Sequence, residues 1–89
     1  MRRRVVFRAE VFQEGELYVS LCPELGVSSF GEDVPTAQRS LQEAVEAFLE
    51  GCESLGTLDE VLEESGFVLE DGNWVSRRPI SEELLVTSS

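Results

Sequence analysis

YVSLCPELGVSSFGEDVPTAQRSLQEAVEAFLEGC, residues 18–52, decides the fold, because two strands and a long helix follow one another in it without a linker. Pro23 cannot donate a backbone hydrogen bond to a sheet, so we expect the first of these strands to end at Cys22. After a turn, Val27 to Phe30 reads as the next strand. This part of the chain therefore predicts an antiparallel pair of strands that leads into a helix.

The predicted helix begins after Asp33, a good N-cap residue, and ends near Gly56. Pro35 is tolerated in its first turn, where no helical partner is needed for a backbone N–H. The apolar positions repeat every three or four residues, which is typical of a helix lying on a sheet. They are Ala37, Leu41, Ala44, Val45, Phe48, Leu49 and Cys52. Burial of each large member of this set contributes about 1.5 to 3 kcal/mol, so Leu41, Val45, Phe48 and Leu49 should anchor the helix.

Before this stretch, residues 5–11 alternate apolar and polar side chains, as expected of a half-buried strand. Leu17, Val19 and Leu21 repeat the alternation. If both odd-numbered sets face the helix across a hairpin, the connecting loop must hold an odd number of residues. We therefore predict a three-residue loop, residues 13–15, in which Gly15 adopts the left-handed conformation.

After the helix, Thr57 and Glu60 have the spacing of a capping box, which predicts a short second helix that ends at Gly66. Residues 67–70 and 73–76 flank Asp71-Gly72 and predict a tight β-hairpin. The chain is thus predicted to be an α+β domain, with an antiparallel β-β-β-α core followed by a short helix and a β-hairpin.

The hairpin should place Leu69 opposite Trp74. Two roles for Trp74 follow: it fills the core together with Leu69, or both residues belong to an interface between subunits, where Trp is enriched. A chain of 89 residues has room for one small core, so oligomerisation would add stability. We predict one domain over residues 1–78 and a tail over residues 79–89, either frayed or lying on another subunit.

The chain carries 18 acidic and seven basic side chains, for a net charge of -11. This charge repels nucleic acids and anionic membranes, so we expect neither as a partner and favour a basic protein. Arg2, Arg3 and Arg4 could touch RNA, although they are better explained as a solubilising strand end. There is no apolar run long enough for a membrane span and no signal-peptide pattern, so we expect a cytoplasmic protein.

No catalytic or metal site is predicted. Cys22 and Cys52 lack CxxC spacing and the chain has no His, so two buried reduced thiols are expected. Metal-assisted chemistry needs several converging carboxylates, whereas Glu10 should lie on the sheet face away from the helix and forms no cluster with Glu24. We therefore expect a protein that is not an enzyme and uses no cofactor.

A resemblance to a known family makes the expected fold and partner more specific. Its residues are Cys22-Pro23-Glu24-Leu25-Gly26, Gly31-Glu32, and Ala37, Leu41, Glu43 and Ala44 of the helix. The segment resembles the HicB family of antitoxin domains over roughly the first 55 residues, although the family's proline before the glycine is missing. The resemblance implies a fold related to a truncated RNase H domain and a small basic HicA-type RNA-cleaving toxin as partner. Residues 57–89 do not resemble a DNA-binding domain, so the chain looks like the stand-alone, single-domain members.

Four acidic residues are candidates for binding such a toxin. Glu43, Glu46 and Glu50 share one helical stripe that could steer a basic partner, or could simply be a solvated face. Glu24 could be an interface contact, a relic of the metal site that RNase H ancestry implies, or a hydrated turn residue. The expected function is a non-enzymatic antitoxin-like binding module, and the alternative is a self-assembling homo-oligomeric domain without a toxin.

Overall fold

A computed structural model describes residues 4–88, in which six strands and two helices form two small sheets. The strands are β1 (Val5–Val6), β2 (Glu10–Glu14), β3 (Leu17–Cys22), β4 (Val27–Gly31), β5 (Phe67–Glu70) and β6 (Asn73–Ser76), and the helices are α1 (Val34–Leu55) and α2 (Leu58–Glu64). The predicted α+β class is confirmed, and β2, β3, β4 and α1 follow in the predicted β-β-β-α order.

The first sheet is an antiparallel meander in the order β2-β3-β4, with α1 packed on one of its faces. Cys22 from β3 and Leu41 and Val45 from α1 form the core between them, and all three side chains are buried. Side chains alternate across a strand, so Ser20 and Cys22 point to α1 while their neighbours point away.

The second sheet has the order β1-β6-β5 and joins the beginning of the described chain to its last hairpin. β1 runs parallel to β6, with Val5 opposite Trp74. A second cluster, formed by Leu62 of α2, Phe67 and Trp74, is packed under this sheet. Phe7, between β1 and β2, packs against both clusters and connects the two sheets.

Local signals fixed the ends of α1 as predicted. The Asp33 carboxylate accepts a hydrogen bond from the Thr36 amide at 2.8 Å. At the other end Gly56 is left-handed, with φ of 74°, and its amide donates to the carbonyl of Glu53. The Leu69–Trp74 pairing is also confirmed, with Asp71 and Gly72 both at positive φ in the turn between them.

The prediction of one strand over residues 5–11 is wrong. Val5–Val6 belongs to the second sheet and Glu10–Glu14 to the first, so the chain changes sheets between them. Burial of Phe7 against both clusters accounts for the break, because a continuous strand would stay with one sheet. Alternation alone does not reveal which strand a segment pairs with.

The predicted register of the first hairpin is also wrong. β2 and β3 are joined by a two-residue turn, with Glu14 opposite Leu17, although Gly15 is left-handed as expected. Each odd-numbered residue of β3 is therefore paired with an even-numbered residue of β2, as Val19 is with Phe12. Val19 and its neighbours Leu17 and Leu21 consequently face away from α1. Space contributes where α1 begins, because the helix approaches Gly31 so closely that an added side chain would clash with the helix backbone.

Two smaller corrections concern the helices. Phe48 was expected to anchor α1, but it is exposed at the side of the buried stripe. Thr57 precedes α2 without capping it, since its side chain makes no capping hydrogen bond there. Its hydroxyl donates instead to the carbonyl of Cys52 at 3.3 Å, which ties the start of α2 to the end of α1.

Both predicted thiols, Cys22 and Cys52, are buried and form no disulfide. Neither helix found between residues 4 and 88 has the length and apolar character required to cross a membrane. Residues 79–88 of the predicted tail contain no helix or strand. Arg2 and Arg3 of the predicted basic strand end lie outside the described residues.

Candidate functional site

A groove of about 760 Å³ lies between one side of α1, the start of α2 and the paired strands β1 and β6. Its apolar lining is Val5, Phe7, Val45, Leu49, Leu58 and Trp74. Its polar lining is Arg4, Gln42, Glu46, Glu50, Glu53 and Asp59. We call this site the acidic groove, because four of its six polar residues are carboxylates.

Helical spacing places most of the acidic groove on α1. Gln42, Glu46 and Glu50 are four residues apart, so they follow one another along the same side of the helix. The Gln42 side-chain amide donates to the Glu46 carboxylate at 3.4 Å, so these two neighbours in the row are in contact. Leu49 lies beside the row and packs against both core clusters. The carboxylates are therefore carried by a rigid helix next to apolar surface.

The opposite side of the groove depends on long-range pairing. The Trp74 amide donates to the Arg4 carbonyl at 2.9 Å, and the Arg4 amide donates to the Asn73 side chain at 3.2 Å. These bonds hold Arg4 and Val5 against the last hairpin. Asp59 enters from the first turn of α2.

The electrostatics of the groove favour a cation. Its described lining holds one basic residue, Arg4, and four acidic residues. The acidic residues are Glu46, Glu50, Glu53 and Asp59. A cleft in which one sign of charge predominates beside apolar walls focuses the field and concentrates ions of opposite sign. Such a groove can hold a Lys or Arg side chain at its rim and an apolar side chain against its base.

Trp74, one of the residues of this apolar base, also carries a buried polar atom without a partner among the described residues. Its side chain is only 4% exposed, and its indole N–H has no hydrogen-bond partner within residues 4–88. A buried N–H without a partner is costly, so this group is an exception to the usual pairing of buried polar atoms.

Only part of the predicted acidic set comes together in the groove. Glu46 and Glu50 line it, while Glu43 is exposed on α1 outside it. Glu24 lies elsewhere, in the turn after β3, where its side chain is 11% exposed and pairs with Arg8 at 3.3 Å. The view of Glu24 as a simply hydrated turn residue is therefore wrong.

Leu69 and Trp74 differ in exposure despite their pairing. Trp74 belongs to the second core cluster, as one of the two sequence interpretations expected, whereas Leu69 is half exposed at the end of the hairpin. A role of these two residues in an interface between subunits stays a prediction.

Sequence reasoning missed Arg4, Glu53 and Asp59 as members of the site. Glu53 lies eleven residues after Gln42, so the helical period of the stripe extends to it. Arg4 and Asp59 reach the groove only through the β1–β6 pairing and the packing of α2 on α1, for which no local signal exists.

Two groups in the first sheet and helix have shifted pKa values. Burial raises the pKa of the Cys22 thiol above its ordinary value of 9.0. The hydrogen bonds from Thr36 lower the pKa of the Asp33 carboxyl, as expected for a helix cap. Among residues 4–88 there is no group of three or more Cys, Asp or Glu side chains arranged to hold a metal ion.

Comparisons with known proteins identify no relative of this chain. No family model matches the chain, and no significant match was found among curated proteins or solved structures.

Proposed function

We propose that this protein is a non-enzymatic, HicB-like antitoxin or antitoxin-derived binding module, which sequesters a small basic HicA-type RNA-cleaving toxin in the cytoplasm. The single observation that carries the proposal is the acidic groove, in which carboxylates of α1 and α2 surround an apolar base. The resemblance of residues 22–44 to the HicB family supplies the class of partner.

Charge supports a basic protein as the ligand. The net charge of -11 attracts a cationic protein at long range, and Glu46 and Glu50 would then pair with its Lys or Arg side chains at the groove. Apolar contact with the half-buried Leu49 and Leu58 would supply the part of the affinity that salt does not screen.

The test is isothermal titration calorimetry with the small basic protein encoded beside this gene. The double variant Glu46→Gln/Glu50→Gln should weaken binding roughly tenfold or more and make the affinity less dependent on salt, because two charge pairs are lost. The variant should also fail to protect cells that express the toxin.

The matched control is Glu63→Gln/Glu64→Gln on α2. It makes the same change of charge at two exposed acids that do not line the groove. The affinity should then stay close to the wild-type value. The absence of a basic neighbour in the genome, or a complex that both double variants weaken equally, would contradict the proposal.

The alternative is a self-assembling domain without a toxin. It is favoured by apolar surface that a single chain leaves exposed on the first sheet and in the tail. A stable homo-oligomer that binds no basic neighbour would support this alternative.

A further inference from the structure

The face of the β2-β3-β4 sheet that points away from α1 carries a row of large apolar side chains. Phe12 is opposite Val19, and Val19 is opposite Phe30, so the row crosses all three strands. Phe12 and Phe30 are 53% and 64% exposed. Leu17 and Leu21 flank Val19 along β3 on the same face. We call these five residues the outer face.

No charged residue interrupts the row. Glu10 and Glu14 lie at the two ends of β2 on this side of the sheet, and Ser28 borders Phe30 on β4. Two copies that each carry a charge of -11 repel one another, so an apolar row offers a contact that brings few acidic residues together.

The C-terminal tail, residues 79–88, is a second exposed apolar surface. Ile80, Leu84, Leu85 and Val86 are almost fully exposed and contribute to neither core cluster. Glu82 lies 3.9 Å from Arg8, just before β2 begins. The tail therefore leaves the body of the protein beside the first sheet.

The exposed areas decide whether the outer face alone suffices for a dimer. Aromatic side chains bury about 150 to 250 Å² each, so the half-exposed Phe12 and Phe30 offer roughly 200 Å², and the outer face about 300 Å². A stable interface buries about 800 Å² on each partner, so this face is too small. At roughly 100 Å² for each of Leu84, Leu85 and Val86, the tail adds about 300 Å². The sum of about 600 Å² on each partner, or about 1,200 Å² in total, reaches the lower limit for a stable interface.

We infer that two copies of this chain form a dimer by exchanging tails, with Leu84, Leu85 and Val86 of each copy packed on the outer face of the other. The dimer buries both apolar surfaces at once and uses the same contact twice, as a closed two-fold assembly requires. It does not depend on the proposed toxin.

Two observations select a second copy as the occupant. Leu84, Leu85 and Val86 are exposed in the single chain although Glu82 lies beside the same sheet, so the tail does not cover its own outer face. The acidic groove is a less suitable site for the tail than the outer face. Glu82 and Glu83 would approach four carboxylates in the groove, whereas only Glu10 and Glu14 border the outer face, at the ends of β2. The outer face lies on the opposite side of the sheet from α1, so the dimer leaves the groove open.

Sedimentation equilibrium of the full chain, from about 1 to about 100 µM, tests the inference. The wild type should be a dimer that dissociates on dilution. Leu85→Ser in the tail and Phe30→Ser on the outer face should each raise the dimer Kd roughly tenfold or more. Leu85 contacts no core, so its variant keeps the fold, and circular dichroism checks the same for Phe30→Ser.

The matched control is Leu55→Ser at the end of α1. Leu55 is 80% exposed and Leu85 is 81% exposed, so the two changes remove the same apolar group from equally exposed sites. The dimer Kd of Leu55→Ser should equal that of the wild type. If Leu55→Ser and Leu85→Ser raise the Kd equally, tail exchange is contradicted.

A mixing experiment distinguishes exchange from other arrangements. One copy carries Phe12→Ser/Phe30→Ser and a second carries Leu84→Ser/Leu85→Ser, so neither dimerises well alone. A mixture restores one of the two contacts, since the intact tail of the first copy meets the intact face of the second. Heterodimers tighter than either variant's homodimer support the inference. A monomeric wild type at about 100 µM, a dimer insensitive to Leu85→Ser, or a mixture without heterodimers overturns it.

Discussion

The two faces of the β2-β3-β4 sheet differ in the size of their side chains. The face under α1 carries Ser20, Cys22 and Gly31 besides the larger Tyr18, whereas the outer face carries Phe12 and Phe30 in its central row. The start of the helix therefore contacts small residues on its side of the sheet, and Phe12 and Phe30 stay exposed on the other side. Hydrophobicity alone therefore does not predict which face of this sheet the helix covers.

Close approach makes the helix-covered face intolerant of added atoms. A methyl group on Gly31 would lie 2.5 Å from the Ala37 amide nitrogen and 2.9 Å from the Thr36 carbonyl carbon. Nearby, the buried Ser20 hydroxyl donates to the Ala37 carbonyl at 2.6 Å. The first turns of α1 are thus fixed by direct contact with the sheet backbone.

The largest expected effect comes from breaking this contact with Gly31→Ala. The added methyl group meets backbone atoms that cannot move without shifting α1, so the free energy of unfolding should fall by about 2 kcal/mol. Urea denaturation followed by circular dichroism measures it. Gly51→Ala is the matched control: Gly51 lies in α1 with no atom near the added methyl, so the substitution should stabilise by about 0.5 to 1 kcal/mol. Loss of stability in both variants would contradict the packing argument.

A smaller effect is expected from Ser20→Ala, which removes the hydrogen bond to the Ala37 carbonyl without adding volume. The free energy of unfolding should fall by about 1 kcal/mol, the usual net contribution of such a bond. Ser28→Ala makes the same change on the exposed side of β4 and should alter stability by less than about 0.5 kcal/mol. Equal effects in the two variants would mean that the buried hydroxyl does not hold the helix.

The smallest effect is a pH dependence at Cys22. Burial raises the pKa of this thiol in the folded state, so the unfolded chain ionises first as the pH increases. The unfolded state then binds fewer protons, and stability falls with rising pH above about 9. The urea midpoint of the wild type should fall more than that of Cys22→Ala between about pH 8 and pH 10.5. Parallel changes in the two proteins would exclude a contribution from Cys22.

The sequence predicted where helices and strands begin and end better than it predicted which side chains of a strand point toward the helix. Pro23, Asp33 and Gly56 act through local backbone chemistry, so element ends were predictable. The face that β3 presents depends on one residue in the turn at Gly15, and a change of one residue exchanges the two faces. No local pattern reports how closely a helix approaches a sheet.

The residues of the acidic groove also differ in how well the sequence predicts them. Helical spacing identified Glu46 and Glu50, since residues four apart share a side of α1. Arg4 and Asp59 join them through contacts between distant segments, which a single sequence does not reveal. Leu17, Val19 and Leu21 of the outer face were recognised as apolar but were assigned to the core, and Phe12 and Phe30 were not assigned to any surface.

The pairing of β1 with β6 has a consequence for synthesis. The Arg4–Asn73 hydrogen bond joins residues 69 apart in sequence, so β1 has no partner strand until the last hairpin has left the ribosome. Strands β2, β3 and β4 pair with their neighbours in the sequence, and α1 follows them directly, so this part can assemble earlier. One wall of the acidic groove is therefore completed last. In an incomplete chain, the acidic side of α1 would be exposed while the groove was still unformed.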